Sequence, residues 1–191
     1  MTSSDSSPEV LLSSASSSNS SSLPSQWSYD VFLSFRGEDT HYGFTGHLHS
    51  ALHQKGINTF KDDKELRKGE EISPALLKAI EESKVSIIIF SEKYVSSTWC
   101  LDELLQILRC KESKQQKVVA VYYKVEPSTV RHQINSFELK TALAEHKDAL
   151  KDDAKVQRWK TALKQAADLS GFHLQINENE SKFIEEIVQE V

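Results

Sequence analysis

The chain switches between short continuous apolar runs and longer stretches in which apolar residues recur every three or four positions. YDVFLSF, Tyr29 to Phe35, is β-branched and aromatic and reads as a buried strand. INTF (Ile57 to Phe60) reads as a second, short strand. KVSIIIF (Lys84 to Phe90) reads as a third and KVVAVYY (Lys117 to Tyr123) as a fourth. Gly171 to Leu174 reads as a short fifth strand. Helical spacing fills the gaps. After RGEDT, Asp39 or Thr40 is placed to cap a helix that runs through Lys55 and stops at Gly56. A charged loop follows, Lys61 to Glu71, and Ser73-Pro74 then opens a helix to about Ser83 with proline at its first position. Glu126-Pro127-Ser128 reads as a turn, and Ser136 to Leu150 and Asp153 to Leu169 as two helices. In the last segment Phe183, Ile184, Ile187, Val188 and Val191 mark a helix whose apolar stripe looks uncovered, as a linker's would.

Strands alternating with helices predict a parallel sheet covered on both faces, an α/β fold. Such sheets bind ligands beyond the carboxyl ends of their strands. The segments after the first three strands are Arg36-Gly37-Glu38-Asp39-Thr40, then Asp62 to Gly69, then Ser91 to Glu103. The third contains SSTWCLDELLQIL. On a helix, Leu101, Leu104, Leu105 and Leu108 make one apolar stripe, and Trp99 and Glu103 stand four apart on the opposite side. An indole on the outward face suits the wall of a cleft.

Composition narrows the function. The 191 residues suit one domain with tails, and 38% hydrophobic residues suffice for an ordinary core. A net charge of -5 argues against bulk attraction to nucleic acid or to anionic membranes. No apolar run reaches a membrane span's length of about 18 residues. Cys100 and Cys110 on one helix would lie about 15 Å apart, too far for a disulfide, and read as free thiols in a reducing compartment. Residues 1–27 read as a serine-rich disordered leader, 28–175 as the folded domain and 176–191 as a helical extension or linker.

No G-x-G-x-x-G follows the first strand and no G-x-x-x-x-G-K-[ST] occurs. A receiver domain would need acidic residues after its first strand and an aspartate after its third. Here arginine and Ser91 stand there. What remains is a flat aromatic face, a carboxylate and two arginines in facing loops. Trp99 can stack on a base, Arg36 and Arg67 can pair with phosphates, and Glu103 can stabilise a sugar cation or orient a ribose hydroxyl. The set suits a nucleotide whose glycosidic bond is broken. Each residue also has a plainer role open to it. Trp99 can fold back into the core, and Glu103 can be a first-turn helix anion. Arg36 can pair with Glu38 or Asp39, Arg67 can belong to a solvated charge run, and Gly37 and Gly69 can be turn glycines.

Five ordered blocks, YDVFLSFRGEDT, FKDDKELRKGEEI, LLKAIEESKVSIIIFSEKYVSSTWCLDEL, VVAVYYKVEPSTVR and RWKTALKQAADLSGFHL, resemble the TIR domain of plant intracellular immune receptors. The resemblance implies a flavodoxin-like, three-layer α/β fold with a parallel sheet of about five strands. It implies an NAD+ nucleosidase that releases nicotinamide and yields ADP-ribose or cyclic variants. NAD+ or NADP+ is then a substrate, and no prosthetic group is called for. Carried over by position, Glu103 is the catalytic glutamate and Trp99 the stacking residue beside it. Arg36, Gly37, Glu38, Asp39, Thr40 and His41 contact the dinucleotide, and Arg67 and Gly69 belong to a mobile loop reaching into the site. The partners implied are other TIR domains, through surfaces near His47 and near Gly171, with no membrane or nucleic acid. The compartment implied is the cytoplasm, with the nucleus as a second location. SKFIEEIVQEV resembles the lead-in to a nucleotide-binding module, so the chain is expected to be a receptor fragment or a TIR-only protein. The alternative to the enzyme is a non-catalytic TIR–TIR adaptor.

Overall fold

The computed structural model describes residues 27–62, 72–132 and 153–191. Its centre is a five-stranded sheet in the order β2-β1-β3-β4-β5, every pair parallel. The strands are β1 (Tyr29–Ser34), β2 (Thr59–Lys61), β3 (Ser83–Phe90), β4 (Lys117–Tyr123) and β5 (Gly171–Leu174). Around them lie α1 (Gly37–Thr40), α2 (Phe44–Gln54), α3 (Pro74–Glu81), α4 (Thr98–Lys114), α5 (Pro127–His132), α6 (Asp153–Ala167) and α7 (Glu180–Glu190), with a 3-10 turn at Tyr94–Ser96. The order reverses between β1 and β3, the flavodoxin-like arrangement, and leaves a switch point at their carboxyl ends.

The strands are buried on both faces, so their alternation sorts residues between two cores. Val31, Leu33, Phe35, Val85, Ile87 and Ile89 face α2 and α7. Phe32, Ile88, Phe90 and Tyr122 face α3, α4, α5 and α6. Ser34 continues the second set: two residues after Phe32 and pairing with Ile88, it is a fully buried hydroxyl in an apolar strand.

Local signals set several helix ends. Ser73 accepts a hydrogen bond from the Leu76 amide with Pro74 next in line, and Ser97 accepts one from Cys100. Gly56 adopts φ of 76°, the left-handed conformation that closes a helix. Three expectations change. The helix after β1 does not run from Asp39 to Lys55. It is broken into α1 and α2, with Gly43 preceding Phe44, because the Asp39 side chain is committed elsewhere, as described below. A side chain at Gly46 would meet the His41 carbonyl at 2.9 Å, so this break packs tightly on α2. Pro127 does not sit in a simple turn but enters α5 in its first turn, where its missing N–H costs nothing. The stripe of α7 is covered: Phe183, Ile184 and Ile187 are buried in the core shared with α2. Helix ends are tied as well. Glu180 bonds His47 Nδ1 (3.0 Å) and Tyr123 (3.4 Å), and Lys117 Nζ donates to Glu190 Oε1 at 2.8 Å. The expected helix at 136–150, all but the last residue of the leader at 1–27, and Arg67 and Gly69 lie outside the described residues.

Cys100 and Cys110 are free and buried on α4. No helix among the described residues is long and apolar enough to cross a membrane.

Since Ile187 is fully buried, Ile187→Ala is expected to lower stability by about 2–5 kcal/mol, read as a fall in the urea midpoint of the whole domain. An unchanged midpoint would mean that α7 is not part of the cooperative unit.

Candidate functional site

Helix α4 begins beside the carboxyl end of β1, where Glu103 meets Ser34 and the Cys100 thiol meets the Phe35 carbonyl. Its first two turns point inward. Cys100, Leu101, Glu103 and Leu104 are all buried, and Glu103 is 3% exposed. The outward placement read from the leucine spacing therefore does not hold for Glu103. Helix α4 is packed by the sheet, by α3 and by α6, so more than one of its faces is internal. Trp99 is half-buried against the core edge. It is neither sealed in nor fully outward.

The Glu103 carboxyl is held by short, named contacts. Ser34 Oγ lies 2.5 Å from Oε2, and the same Ser34 oxygen lies 2.9 Å from the Tyr94 hydroxyl. Tyr94, fully buried, donates to the Cys100 carbonyl at 3.0 Å. The Cys100 thiol donates to the Phe35 carbonyl at 3.4 Å. Burial pushes the Glu103 carboxyl up to about 8, against the downward pull of hydrogen bonds from Ser34 and Trp99, and the charge of Asp62 adds to the rise. Burial likewise raises the Tyr94 hydroxyl and the Cys100 thiol far above their ordinary values. Glu103 is thus a neutral acid at rest, poised to ionise near neutral pH.

The loop after β1 is a second cluster beside the first. Arg36 donates to Asp39 Oδ1 at 2.6 Å and to Glu38. The other Asp39 oxygen accepts from Ser91 Oγ at 2.5 Å and from the Lys93 amide at 3.2 Å. Asp39 therefore fastens the loop after β1 to the loop after β3. Gly37 starts the α1 turn. Thr40 is buried and accepts from Thr45 at 2.8 Å, and the His41 ring lies edge-on to Tyr42 at 4.6 Å. The charge of Arg36 acts on Cys100, and that of Asp62, just after β2, acts on Glu103. The segments after β1 and β3 thus meet at one rim, with Asp62 at the end of β2 beside it.

Of the residues read from the sequence, the structure gathers Glu103, Trp99, Arg36, Gly37, Glu38, Asp39, Thr40 and His41 around this rim. Arg67 and Gly69 lie outside the described residues. Sequence reasoning missed Ser34, Tyr94, Asp62 and Ser91. Ser34 carried a signal: a lone hydroxyl inside an apolar strand, one residue from its end. A separate surface groove of about 360 Å3, lined by Leu105, Arg109, Arg158 and Gln165 among others, lies further along α4 and shares no residue with the Glu103 cluster.

A family model for the TIR domain matches residues 28–191. The disease resistance protein RPV1 of Vitis rotundifolia is 52% identical over 177 residues, which is 93% of this chain and 12% of that protein. The TMV resistance protein N of Nicotiana glutinosa is 49% identical over 173 residues, 90% of this chain and 15% of that protein. The chain thus spans 12% and 15% of the lengths of these curated relatives. Among solved structures, the TIR domains of the activated Roq1 resistosome, which directly recognizes the pathogen effector XopQ, match with a TM-score of 0.78 at 48% identity, covering 86% of this chain and 99% of that one.

The buried acid also sets a pH dependence of stability. Between the ordinary value of 4.5 and about 8, the folded chain holds a proton at Glu103 that the unfolded chain has released. Stability from this group is full below that window and falls as pH rises through it. Glu103→Gln removes the titration while keeping the shape. The thermal midpoint of the wild type, relative to Glu103→Gln, is expected to drop by on the order of 10 °C between pH 5 and pH 8.5. Parallel melting profiles would show that Glu103 is not held neutral.

Proposed function

The chain belongs to the TIR domain family, and we propose that this domain is an NAD+ nucleosidase acting in plant immune signalling. One observation carries the reading. An acid held at the carboxyl ends of the central strands sits beside a half-buried indole, where the loops after β1 and β3 meet. The names of the relatives, disease resistance proteins, support the immune setting.

In NAD+ the nicotinamide is a cation joined to ribose through C1′. Cleavage breaks the C1′–N bond, and its electron pair neutralises the leaving pyridinium. Positive charge then develops on the ribose, in an oxocarbenium-like transition state. An ionised Glu103 stabilises that charge strongly, because the acid is almost wholly withdrawn from water. Capture of C1′ by water gives ADP-ribose and releases a proton. Capture by a nitrogen of the adenine gives a cyclic product. Glu103 must first surrender its resting proton, and the positive nicotinamide placed next to it favours that loss. Trp99 offers a face on which a base stacks.

Arg36 is the group for the diphosphate, yet its guanidinium is already paired. Glu38 is the partner that yields, since its side chain is 68% exposed, while that of Asp39 is 15% exposed and held by the loop after β3. Exchange of one exposed ion pair for a phosphate pair costs about 1 kcal/mol or less. The same pairing favours a second reading, in which the rim stays closed and the domain serves only to join other TIR domains. Self-association belongs to both readings and finds support in the resistosome setting of the Roq1 TIR domains. The exposed surface of α2 near His47 is the candidate contact.

Concentrated domain incubated with NAD+ is expected to release free nicotinamide, and Glu103→Gln to lower that release by 100-fold or more at unchanged circular dichroism. The wild-type kcat/KM is expected to rise with pH through about 8, as the free domain's carboxyl ionises. Release unaffected by Glu103→Gln refutes the role given to Glu103, and no release from demonstrably assembled wild type favours the adaptor.

A further inference from the structure

We infer that Ser34 and Tyr94 form, with the Cys100 carbonyl, a hydroxyl chain that is completed by a proton on Glu103 and reverses direction when Glu103 ionises. The inference rests on reading Glu103 as the reacting carboxylate. It assigns Ser34 and Tyr94 as positioning residues, both fully buried and acting only through that carboxylate.

Three oxygen contacts run in series: Glu103 Oε2 to Ser34 Oγ at 2.5 Å, Ser34 Oγ to Tyr94 Oη at 2.9 Å, and Tyr94 Oη to the Cys100 carbonyl at 3.0 Å. Each contact needs one proton. Ser34 and Tyr94 own one hydroxyl proton each. With Glu103 ionised there are two protons for three contacts, and one contact is left with none. With Glu103 neutral every contact is filled: Glu103 donates to Ser34, Ser34 to Tyr94, and Tyr94 to the carbonyl. The geometry thus agrees, independently of the carboxyl's raised affinity for its proton, with a neutral resting acid.

Ionisation does not strand a group. Both hydroxyls rotate, Tyr94 donating to Ser34 and Ser34 to the carboxylate. The Cys100 carbonyl, inside α4, keeps its helical partner four residues on. Two hydroxyl rotations, with no backbone movement, therefore turn a cluster built for a neutral acid into one that holds an anion. Among the described residues, the other titratable groups acting on the chain can be named. Cys100 stands on α4 itself, Asp62 follows β2, and Arg36 and Asp39 come from the loop after β1. The charges of α3 and α6 engage α4 elsewhere: Glu81 meets Gln106 and Lys114, and Lys155 pairs with Asp102.

The test reads Glu103 directly. In the intact chain carrying 13C-labelled glutamate, the Glu103 carboxyl shift is followed against pH by NMR in wild type, Ser34→Ala, Tyr94→Phe and the double variant. Ser34→Ala is expected to raise the midpoint by about one to two pH units, because the anion loses its donor. Tyr94→Phe is expected to raise it by roughly half a unit, one link removed. The double variant should match Ser34→Ala alone, since Tyr94 reaches Glu103 only through Ser34. Ser34→Thr, which keeps the hydroxyl, should restore the wild-type midpoint. A midpoint unmoved by Ser34→Ala, or a Tyr94→Phe effect that adds in full to it, overturns the chain. Nicotinamide release is measured on the same samples. Midpoints that move as expected without wild-type turnover refute the nucleosidase reading and leave the chain standing. Turnover with unmoved midpoints does the reverse.

Discussion

The contact between Glu103 and Ser34 joins the first helical turns of α4 to the tip of β1, and the rest of the site is arranged about it. A carboxyl taken out of water pays several kcal/mol if it stays charged. The protein meets that cost by leaving the acid protonated and giving it hydroxyl and indole partners. The apolar residues on either side of Glu103, Cys100, Leu101, Leu104 and Ile107, fix α4 in place, so the acid has no solvated alternative. Core packing and the chemistry of the site are here one and the same arrangement.

That arrangement needs the sheet order. A parallel sheet whose order reverses between β1 and β3 brings the segments after β1 and β3 to one edge, with Asp62 after β2 beside them. Asp39 then locks two of those segments together through Ser91 and the Lys93 amide. The lock explains why Arg36 keeps a defined position although one of its two partners is exposed. It also explains why α2 starts late: the aspartate that spacing offered as a helix cap is spent on the neighbouring loop.

The strands and their parallel order were legible because each is a short apolar run between turn signals, and such runs leave few topologies. The site's membership was legible in part. Arg36 to Thr40, Trp99 and Glu103 stood out by their position after a strand, and His41 came only from the family resemblance. The environment of Glu103 was not. Leucine spacing marks one apolar face of α4, but a helix wedged between a sheet and two other helices buries more than the face its sequence marks. Ser34 and Tyr94 escaped because a serine in a strand and a tyrosine in a short turn each read as ordinary alone, and only the fold sets them 2.9 Å apart. The C-terminal stripe was visible, but its partner, α2, lies far away in the chain. Periodicity shows that a face exists without showing what covers it.

The alternation along β1 has a consequence beyond packing. Ser34 faces α4 only because strand side chains change sides at every residue, with Leu33 and Phe35 turned to the opposite core. A slip of β1 by a single position would set a hydrocarbon against the acid, with no oxygen to receive its proton or to answer its charge. The acid therefore gains its hydroxyl partner only when the sheet has assembled in its one correct alignment. Under the proposed nucleosidase reading, the strand's pleat serves as a safety catch on the acid.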